Sequence, residues 1–134
     1  MLNRLTDALD FHGQALSLRS QRQRVIAGNI ANADTPGFVA RDFDFAQALR
    51  EATASQPAGS GLAATRTGHI ASGAAGGAEP TLIYATPAQT NLDRNTVDMD
   101  RERASFADNT VKYEATLRFI NGNVRTMLEA IKGQ

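Results

Sequence analysis

Large apolar residues recur every seven positions over two long segments, one near each end of the chain. In the first segment the two rows are Leu2, Leu9, Leu16, Gln23 and Ile30, and Leu5, His12, Arg19, Ile26 and Ala33. Two adjacent heptad rows are typical of an amphipathic helix that packs against another helix. The pattern therefore predicts a helix over residues 1–33, interrupted on its apolar face by three polar side chains.

A strong stop signal follows this helix in the segment Asn32–Gly37. The residue before a proline avoids the helical region, which disfavours continuation past Thr35. Pro36 and Gly37 suit the central positions of a type II turn, in which glycine supplies the positive φ. We expect the helix to end between Asn32 and Asp34.

The second segment, Val97 to Ile131, repeats the pattern in the last third of the chain. Its rows are Met99, Phe106, Tyr113, Ile120 and Met127, and Arg103, Thr110, Leu117, Val124 and Ile131. Asp98 and Asp100 stand where carboxylates favour a helix N-terminus, and Gly133 suits the end. At about 1.5 Å per residue, each predicted helix is about 50 Å long.

The middle of the chain has a different composition. Of the 27 residues from 52 to 78, 21 are Ala, Gly, Ser or Thr, and the large apolar ones are Leu62 and Ile70. Such a segment buries too little apolar surface to offset its ordering entropy, so we expect a flexible Gly/Ala-rich middle. Before it, Phe45 to Leu49 would form one or two helical turns. After it, residues 80–87 would form a short strand, with a partner near Phe38 to Phe43.

The fold predicted from these elements is mainly α, with two long terminal helices packed as an antiparallel coiled-coil-like hairpin. We divide the chain into an N-terminal helix (residues 1–35), a turn with the flexible middle and short β segment (36–97), and a C-terminal helix (98–134). A pair of helices has much surface and little interior, so we expect the surplus apolar surface to be buried between chains. The residues expected to carry helix packing and assembly are Leu9, Leu16, Ile26, Ile30, Phe106, Tyr113, Leu117, Ile120 and Val124.

Composition argues against several classes of function. Lys plus Arg and Asp plus Glu both number 14, so the basic patch of a nucleic-acid-binding protein is missing. The chain has no Cys and two His, and it lacks a nucleophile–His–carboxylate set and a phosphate-binding glycine loop. We therefore expect no enzyme activity, no cofactor and no metal. We also expect no membrane insertion and no cleavable signal peptide, because the apolar runs are too short.

Several positions have two interpretations from sequence alone. Arg19 and Gln23 would either fix the helix register from within the seam or face solvent in an assembled state. The helical glycines would either permit close helix contacts or simply lower helicity. His12 is expected to be a partly exposed seam residue. We expect the clustered side-chain oxygens before the second helix to cap that helix or to contact solvent, because they lack the spacing of a calcium loop. They belong to Asp93, Asn95, Asp98 and Asp100.

The octet Ala31–Phe38, preceded by Ile26–Ile30, resembles the N-terminal signature of bacterial flagellar rod and hook proteins. The segment Asn95–Glu102, followed by Asn109 and Lys112-Tyr113, is similar to that of the small proximal rod subunits of the FlgB type. Distal rod and hook proteins share the Thr-Pro-Gly-Phe turn but are much longer.

This resemblance implies a structural subunit that stacks helically into the proximal rod, the driveshaft that transmits torque across the periplasm. It implies export by the flagellar type III apparatus, and contacts with other rod subunits and with the adaptor at the rod base. Asn32, Thr35, Pro36, Gly37 and Phe38 would set how the helix joins the outer region. The alternative is a soluble helical-hairpin adaptor or export chaperone, which would use the same apolar rows to bind one partner helix.

Overall fold

The computed structural model describes residues 2–54, 80–85 and 92–133, with the side chains of the first helix described from residue 6 onward. The elements are α1 (Leu2–Ala31), β1 (Arg41–Asp42), α2 (Phe45–Ala54), β2 (Ile83–Tyr84) and α3 (Met99–Lys132). The prediction of a flexible middle, including Leu62 and Ile70, falls outside the described residues except at residues 52–54, where it is wrong because α2 continues to Ala54.

The two terminal helices pack against each other in antiparallel directions. Side-chain hydrogen bonds join Arg19 to Thr116 near the middle of α1 and Asn29 to Glu102 near its end. Because the partner number falls on α3 as the number rises on α1, the helices run in opposite directions. The predicted helical hairpin is therefore confirmed.

The second side of α1 carries α2 and β1. The best-buried apolar cluster contains Leu18 from α1, Phe43 from the connection and Ala48 from α2, each less than a tenth exposed. Asp44 starts α2, since its side chain accepts a hydrogen bond from the Gln47 amide at 3.0 Å. The main apolar core therefore lies between α1 and α2, and α1 is the central element.

The two short strands pair antiparallel, with Arg41 opposite Tyr84 and Asp42 opposite Ile83. This pairing confirms the strand predicted within residues 80–87 and its predicted partner segment. No helix among the described residues has an apolar stretch long enough to cross a membrane.

The seam between α1 and α3 is more polar than the heptad rows suggested. Its most buried members on α3 are Asn109 and Thr116, which are 1% and 6% exposed. Glu102, Asn109 and Thr116 are each seven residues apart and therefore form one row along α3. This row lies beside the apolar rows on the helix surface. Hydrogen-bonding side chains occupy the line facing α1, and the large apolar side chains lie along its flank.

Candidate functional site

The turn after α1 has the predicted geometry. The Phe38 amide donates to the Thr35 carbonyl at 3.2 Å, and Gly37 has a φ of +71°. The Asn32 side chain donates to the Gly28 carbonyl at 2.8 Å, beside the backbone hydrogen bond that this carbonyl accepts from the Asn32 amide at 3.2 Å. The chain leaves α1 in one defined direction.

Asn95 fixes this turn from the far end of the chain. The residue is fully buried, and its Nδ2 lies 2.9, 2.7 and 2.8 Å from the carbonyl oxygens of Asn32, Ala33 and Thr35. Its Oδ1 accepts a hydrogen bond from the Val97 amide at 2.8 Å. One amide side chain therefore binds the C-terminal carbonyls of α1 and orders the approach to α3.

Backbone hydrogen bonds continue this connection on both sides of Asn95. The Gly37 amide donates to the Asp93 carbonyl at 2.9 Å, and the Thr96 amide donates to the Phe38 carbonyl at 3.1 Å. The Thr96 hydroxyl accepts from the Ala40 amide at 2.9 Å. Residues 37–40 and 93–96 thus form a single unit, which we call the junction.

Asp98 begins α3 immediately after the junction. Its Oδ1 accepts hydrogen bonds from the Asp100 and Arg101 amides at 3.1 and 3.2 Å, as an N-cap residue does. The expected capping role of this oxygen-rich segment is confirmed at Asp98. Within the described parts of the chain, no three His, Cys, Asp or Glu side chains are grouped as metal ligands.

A second buried amide, Asn29, ties α1 to β1 and α3. Its Nδ2 donates to the Arg41 carbonyl at 2.7 Å and its Oδ1 accepts from the Arg41 amide at 3.0 Å, as a neighbouring strand would. The same Nδ2 lies 3.2 Å from Glu102 Oε2. Burial of the Glu102 carboxyl raises its pKa, the Asn29 hydrogen bond partly opposes this, and the nearby Asp42 charge adds to it.

An ion pair between Arg22 and Asp42 closes the other side of this region. Two guanidinium nitrogens, Nε and Nη2, donate to the two carboxylate oxygens, at 3.2 and 2.9 Å. The hydrogen bond to Asp42 raises the pKa of Arg22 despite its partial burial. Bidentate geometry makes this pair more specific than an ordinary surface ion pair.

A third buried amide, Asn109, lies further along the seam. Its Nδ2 donates to the Arg19 carbonyl at 2.9 Å and to Gln23 Oε1 at 2.6 Å. Gln23 donates to the Thr110 hydroxyl at 2.9 Å, and Arg19 donates to the Thr116 hydroxyl at 3.3 Å. In the single chain, Arg19 and Gln23 therefore bind across the seam, which favours the register interpretation.

His12 is half-buried and stacks on Phe119 with ring centroids 5.8 Å apart.

The predicted packing residues occupy different depths in the hairpin. Ile26 is buried, while Phe106 and Val124 are 38% and 40% exposed. The half-buried members are Leu9, Leu16, Ile30, Tyr113, Leu117 and Ile120. This exposure shows which of them remain accessible to a neighbour, and their role in assembly stays a prediction.

The structural roles of Asn29 and Asn109, and the specific role of Asn95, were not predicted from the sequence. A signal was present, because Asn109 falls seven residues from both Glu102 and Thr116. An asparagine on a regular helical row indicates a hydrogen-bonded seam position, since asparagine is otherwise a poor helix residue.

Most of α1 and the turn that follows it match a known family. The family described as "Flagella basal body rod protein" matches residues 9–38, which span most of α1 and the turn. The chain is 48% identical to the flagellar basal body rod protein FlgB of Proteus mirabilis, over 98% of each chain. The FlgB proteins of Salmonella typhimurium and Escherichia coli are 45% and 44% identical, over 99% and 98% of each chain. The chain belongs to the flagellar basal body rod protein family.

Membership confirms the resemblance inferred from the Thr-Pro-Gly-Phe turn and the segment that leads into α3. The rod family is a structural one, so the prediction of a structural rod subunit is also confirmed. The family match ends at Phe38, inside the junction.

Proposed function

We propose that copies of this chain assemble with one another and with other rod subunits into the proximal rod, which transmits torque. The observation that supports assembly is the set of large apolar side chains on α3 that remain 38–73% exposed in the hairpin. They are Phe106, Val111, Phe119, Val124, Leu128 and Ile131. Phe106, Val124, Leu128 and Ile131 share one side of α3 at about 100° per residue, and an exposed apolar row of this kind is typical of a protein–protein contact.

The polar seam supports the same proposal. Hydrogen bonds at Asn29, Gln23 and Asn109 hold the two helices in one register without using the apolar flank. The flank is then available to neighbouring subunits, whose contacts would carry the mechanical load. This arrangement involves no catalytic step, and we assign the chain no enzymatic activity and no cofactor.

We further propose that the chain reaches the rod through the flagellar type III export apparatus without cleavage of a signal peptide. At the rod base it would contact the adaptor that joins rod to membrane ring. Intact mass measurement on subunits from purified basal bodies tests the export proposal, because removal of a leader would lower the mass.

The assembly proposal is tested by placing a charge on the apolar rows. Leu16→Asp, Ile120→Asp and Val124→Asp are expected to abolish swimming while the protein is still synthesised. Val124 is 40% exposed, so its substitution should leave the isolated hairpin folded, as circular dichroism would show. Ala104→Asp, at an exposed position on the opposite side of α3, is the control.

Normal swimming in all three variants would refute the assembly proposal. A discrete soluble complex with one partner, and none of the protein in purified basal bodies, would instead favour the adaptor interpretation.

A further inference from the structure

A short segment that contains β2, Pro80–Ala85, lies across the main apolar core, and we call it the strap. Its residues 81–84 are exposed and its two ends are half-buried. Three of the exposed side chains are large and apolar, since Leu82, Ile83 and Tyr84 are 45%, 53% and 69% exposed. Neighbouring large apolar side chains that stay exposed indicate a segment whose contacts are not all made within the single chain.

Two clefts separate the strap from the helices beneath it. The first, of about 180 Å³, lies toward α1, between Val25 and Leu82. The second, also of about 180 Å³, lies toward α2, between Gln47 and Ile83. Phe43 lines both clefts, so the strap rests on the core around this ring with open space on either side. Such unfilled space removes close contacts that would otherwise hold the strap in place.

The strand that pairs with the strap, β1, is held independently of it. Both backbone groups of Arg41 hydrogen-bond to the Asn29 side chain, at 2.7 and 3.0 Å. The Ala40 amide donates to the Thr96 hydroxyl at 2.9 Å. The strap is held by its two-residue pairing with β1 and by the Ala85 amide, which donates to the Ala40 carbonyl at 2.9 Å. If the strap left, β1 would therefore keep its position and present a vacant edge.

The chain on either side of the strap is long enough for the strap to reach a neighbour. Twenty-five residues separate Ala54 from Pro80, and six separate Ala85 from Leu92. The shorter connection spans up to roughly 25 Å, at about 3.6 Å per residue. Since that is about twice the diameter of a helix, the edge of β1 in an adjacent copy comes within its range.

We propose that neighbouring copies exchange this strap, so that Pro80–Ala85 of one chain pairs with β1 and covers Phe43 of the next. The same segment covers this site within the single chain, so an identical segment from a second copy fits it in the same register. A strap that crosses between two chains also lies at their boundary, where Leu82, Ile83 and Tyr84 can be buried. This link does not involve the terminal helices. The inference rests on the proposed assembly function, because only assembled copies are close enough to compete with the chain's own strap.

Cysteine cross-linking tests strap exchange, because the chain contains no cysteine. Arg41 lies opposite Tyr84, and the Arg41 backbone groups bind Asn29 on the other edge of β1. Arg41 and Tyr84 are therefore a non-hydrogen-bonded pair, in which the Cα atoms are about 4.5 Å apart and suit a disulfide. Cysteines at these two positions leave the backbone hydrogen bonds of β1 in place.

Chains carrying Arg41→Cys are co-expressed with chains carrying Tyr84→Cys, and basal bodies are purified under reducing conditions and then oxidised. If every strap is closed on its own chain, the two cysteines lie on different chains and do not meet. If straps are exchanged, the cysteines lie opposite each other. We expect roughly tenfold or more disulfide between the two kinds of chain than in a control that pairs Arg41→Cys with Thr53→Cys, at an exposed position on α2.

The purified free protein supplies two further measurements. A single chain that carries both Arg41→Cys and Tyr84→Cys should form a disulfide within itself on oxidation and remain monomeric, because its own strap is closed. In the unsubstituted protein, the Ala85 amide should exchange its hydrogen roughly tenfold faster than the Arg41 amide, since the strap opens while β1 stays in place. This second measurement remains decisive if the substituted chains fail to enter basal bodies.

Four results would overturn strap exchange. They are inter-chain disulfide at the control level, disulfides only between two Tyr84→Cys chains, no intrachain disulfide in the double variant, and equal protection of the Ala85 and Arg41 amides. Each of them would leave the rod function standing. Absence of the unsubstituted protein from basal bodies would instead refute the proposed function itself.

Discussion

Substitution of Asn95 tests whether the junction stabilises the hairpin. In the Asn95→Ala variant the Ala33 carbonyl loses its one recorded partner, and the Val97 amide loses its acceptor. The Asn32 and Thr35 carbonyls keep the backbone hydrogen bonds from Thr35 and Phe38. Two groups are therefore left without partners.

The expected loss follows from these two groups. A buried polar group left unpaired costs about 1–3 kcal/mol. Ala33 is only half-buried, so water can partly replace its lost partner, and the lower half of that range applies to it. We expect Asn95→Ala to lower the free energy of unfolding by about 2–5 kcal/mol, a large share of the stability of a small domain.

Asn95→Asp separates the donor role from simple loss of packing. The carboxylate can still accept from Val97, but it would face three carbonyl oxygens in a fully buried site. We expect this variant to be at least as unstable as Asn95→Ala at neutral pH. Its folded-state pKa would be raised, so stability should recover as the pH falls through that value and the acid becomes a donor.

Urea unfolding followed by far-ultraviolet circular dichroism measures both variants. Asn123→Ala is the control, because this half-buried asparagine on α3 makes no recorded hydrogen bond. If Asn95→Ala is no less stable than the control, or if Asn95→Asp does not recover on acidification, the capping role of Asn95 is refuted. Hydrogen exchange adds a local measure, since the Gly37 and Thr96 amides should lose protection together.

The remaining predictions concern backbone strain and one titrating group. Gly37→Ala should lower the free energy of unfolding by about 1–2 kcal/mol, because the φ of Gly37 is +71°. Gly122→Ala, at an exposed position on α3, should raise the free energy of unfolding by up to about 1 kcal/mol. Equal changes for the two variants in urea unfolding would contradict this prediction. Arg94 has a φ of +60°, which is strained for a residue with a side chain. Arg94→Gly should therefore raise the free energy of unfolding by about 0.5–1 kcal/mol, because the relief of strain exceeds the added entropy of the unfolded chain. A lower melting temperature for the variant would contradict this prediction. The raised pKa of Glu102 means that the folded state holds its proton more tightly, so stability should fall as pH rises from the ordinary value of 4.5 through the folded value. Glu102→Gln keeps an acceptor for Asn29, and its unfolding free energy should show a flatter pH dependence there.

Much of the fold could be predicted because it depends on local signals. The proline and glycine of the Thr35–Phe38 turn predicted an end of α1 between Asn32 and Asp34, next to the observed end at Ala31, and Asp98 and Gly133 marked both ends of α3. The heptad rows predicted two long helices, and their matched lengths at opposite ends of the chain predicted the antiparallel packing. These features need only spacing and backbone preference, which a single sequence contains.

The arrangement of the seam could not be predicted in the same way. The heptad rows assume that the most apolar line of each helix faces its partner. Here Asn109 and Thr116 face α1, whereas Leu18, which lies on neither row of α1, packs with Phe43 and Ala48. The rotation of a helix about its axis depends on all its neighbours, and α2 was recognised only as one or two turns.

The candidate site shows the same division between local and long-range information. The turn and the segment before α3 were both recognised as distinctive, yet nothing in either one reveals that Asn95 binds the turn more than 60 residues away. A hydrogen bond between distant segments leaves no periodic pattern in one sequence. It is visible only when the fold brings the two segments together.

The polar seam also explains how a thin hairpin can be specific before it assembles. Apolar rows alone would permit the two helices to slide by a heptad at little cost, since one large side chain replaces another. A slide at this seam would separate Asn109 from Arg19 and Gln23, and Asn29 from Glu102, leaving buried polar groups unpaired. The register is therefore set inside each subunit by hydrogen bonds, and the exposed apolar side chains of α3 are left for the contacts with neighbours that we propose. A rod subunit built in this way can bury its largest apolar side chains upon assembly without losing the alignment of its own helices.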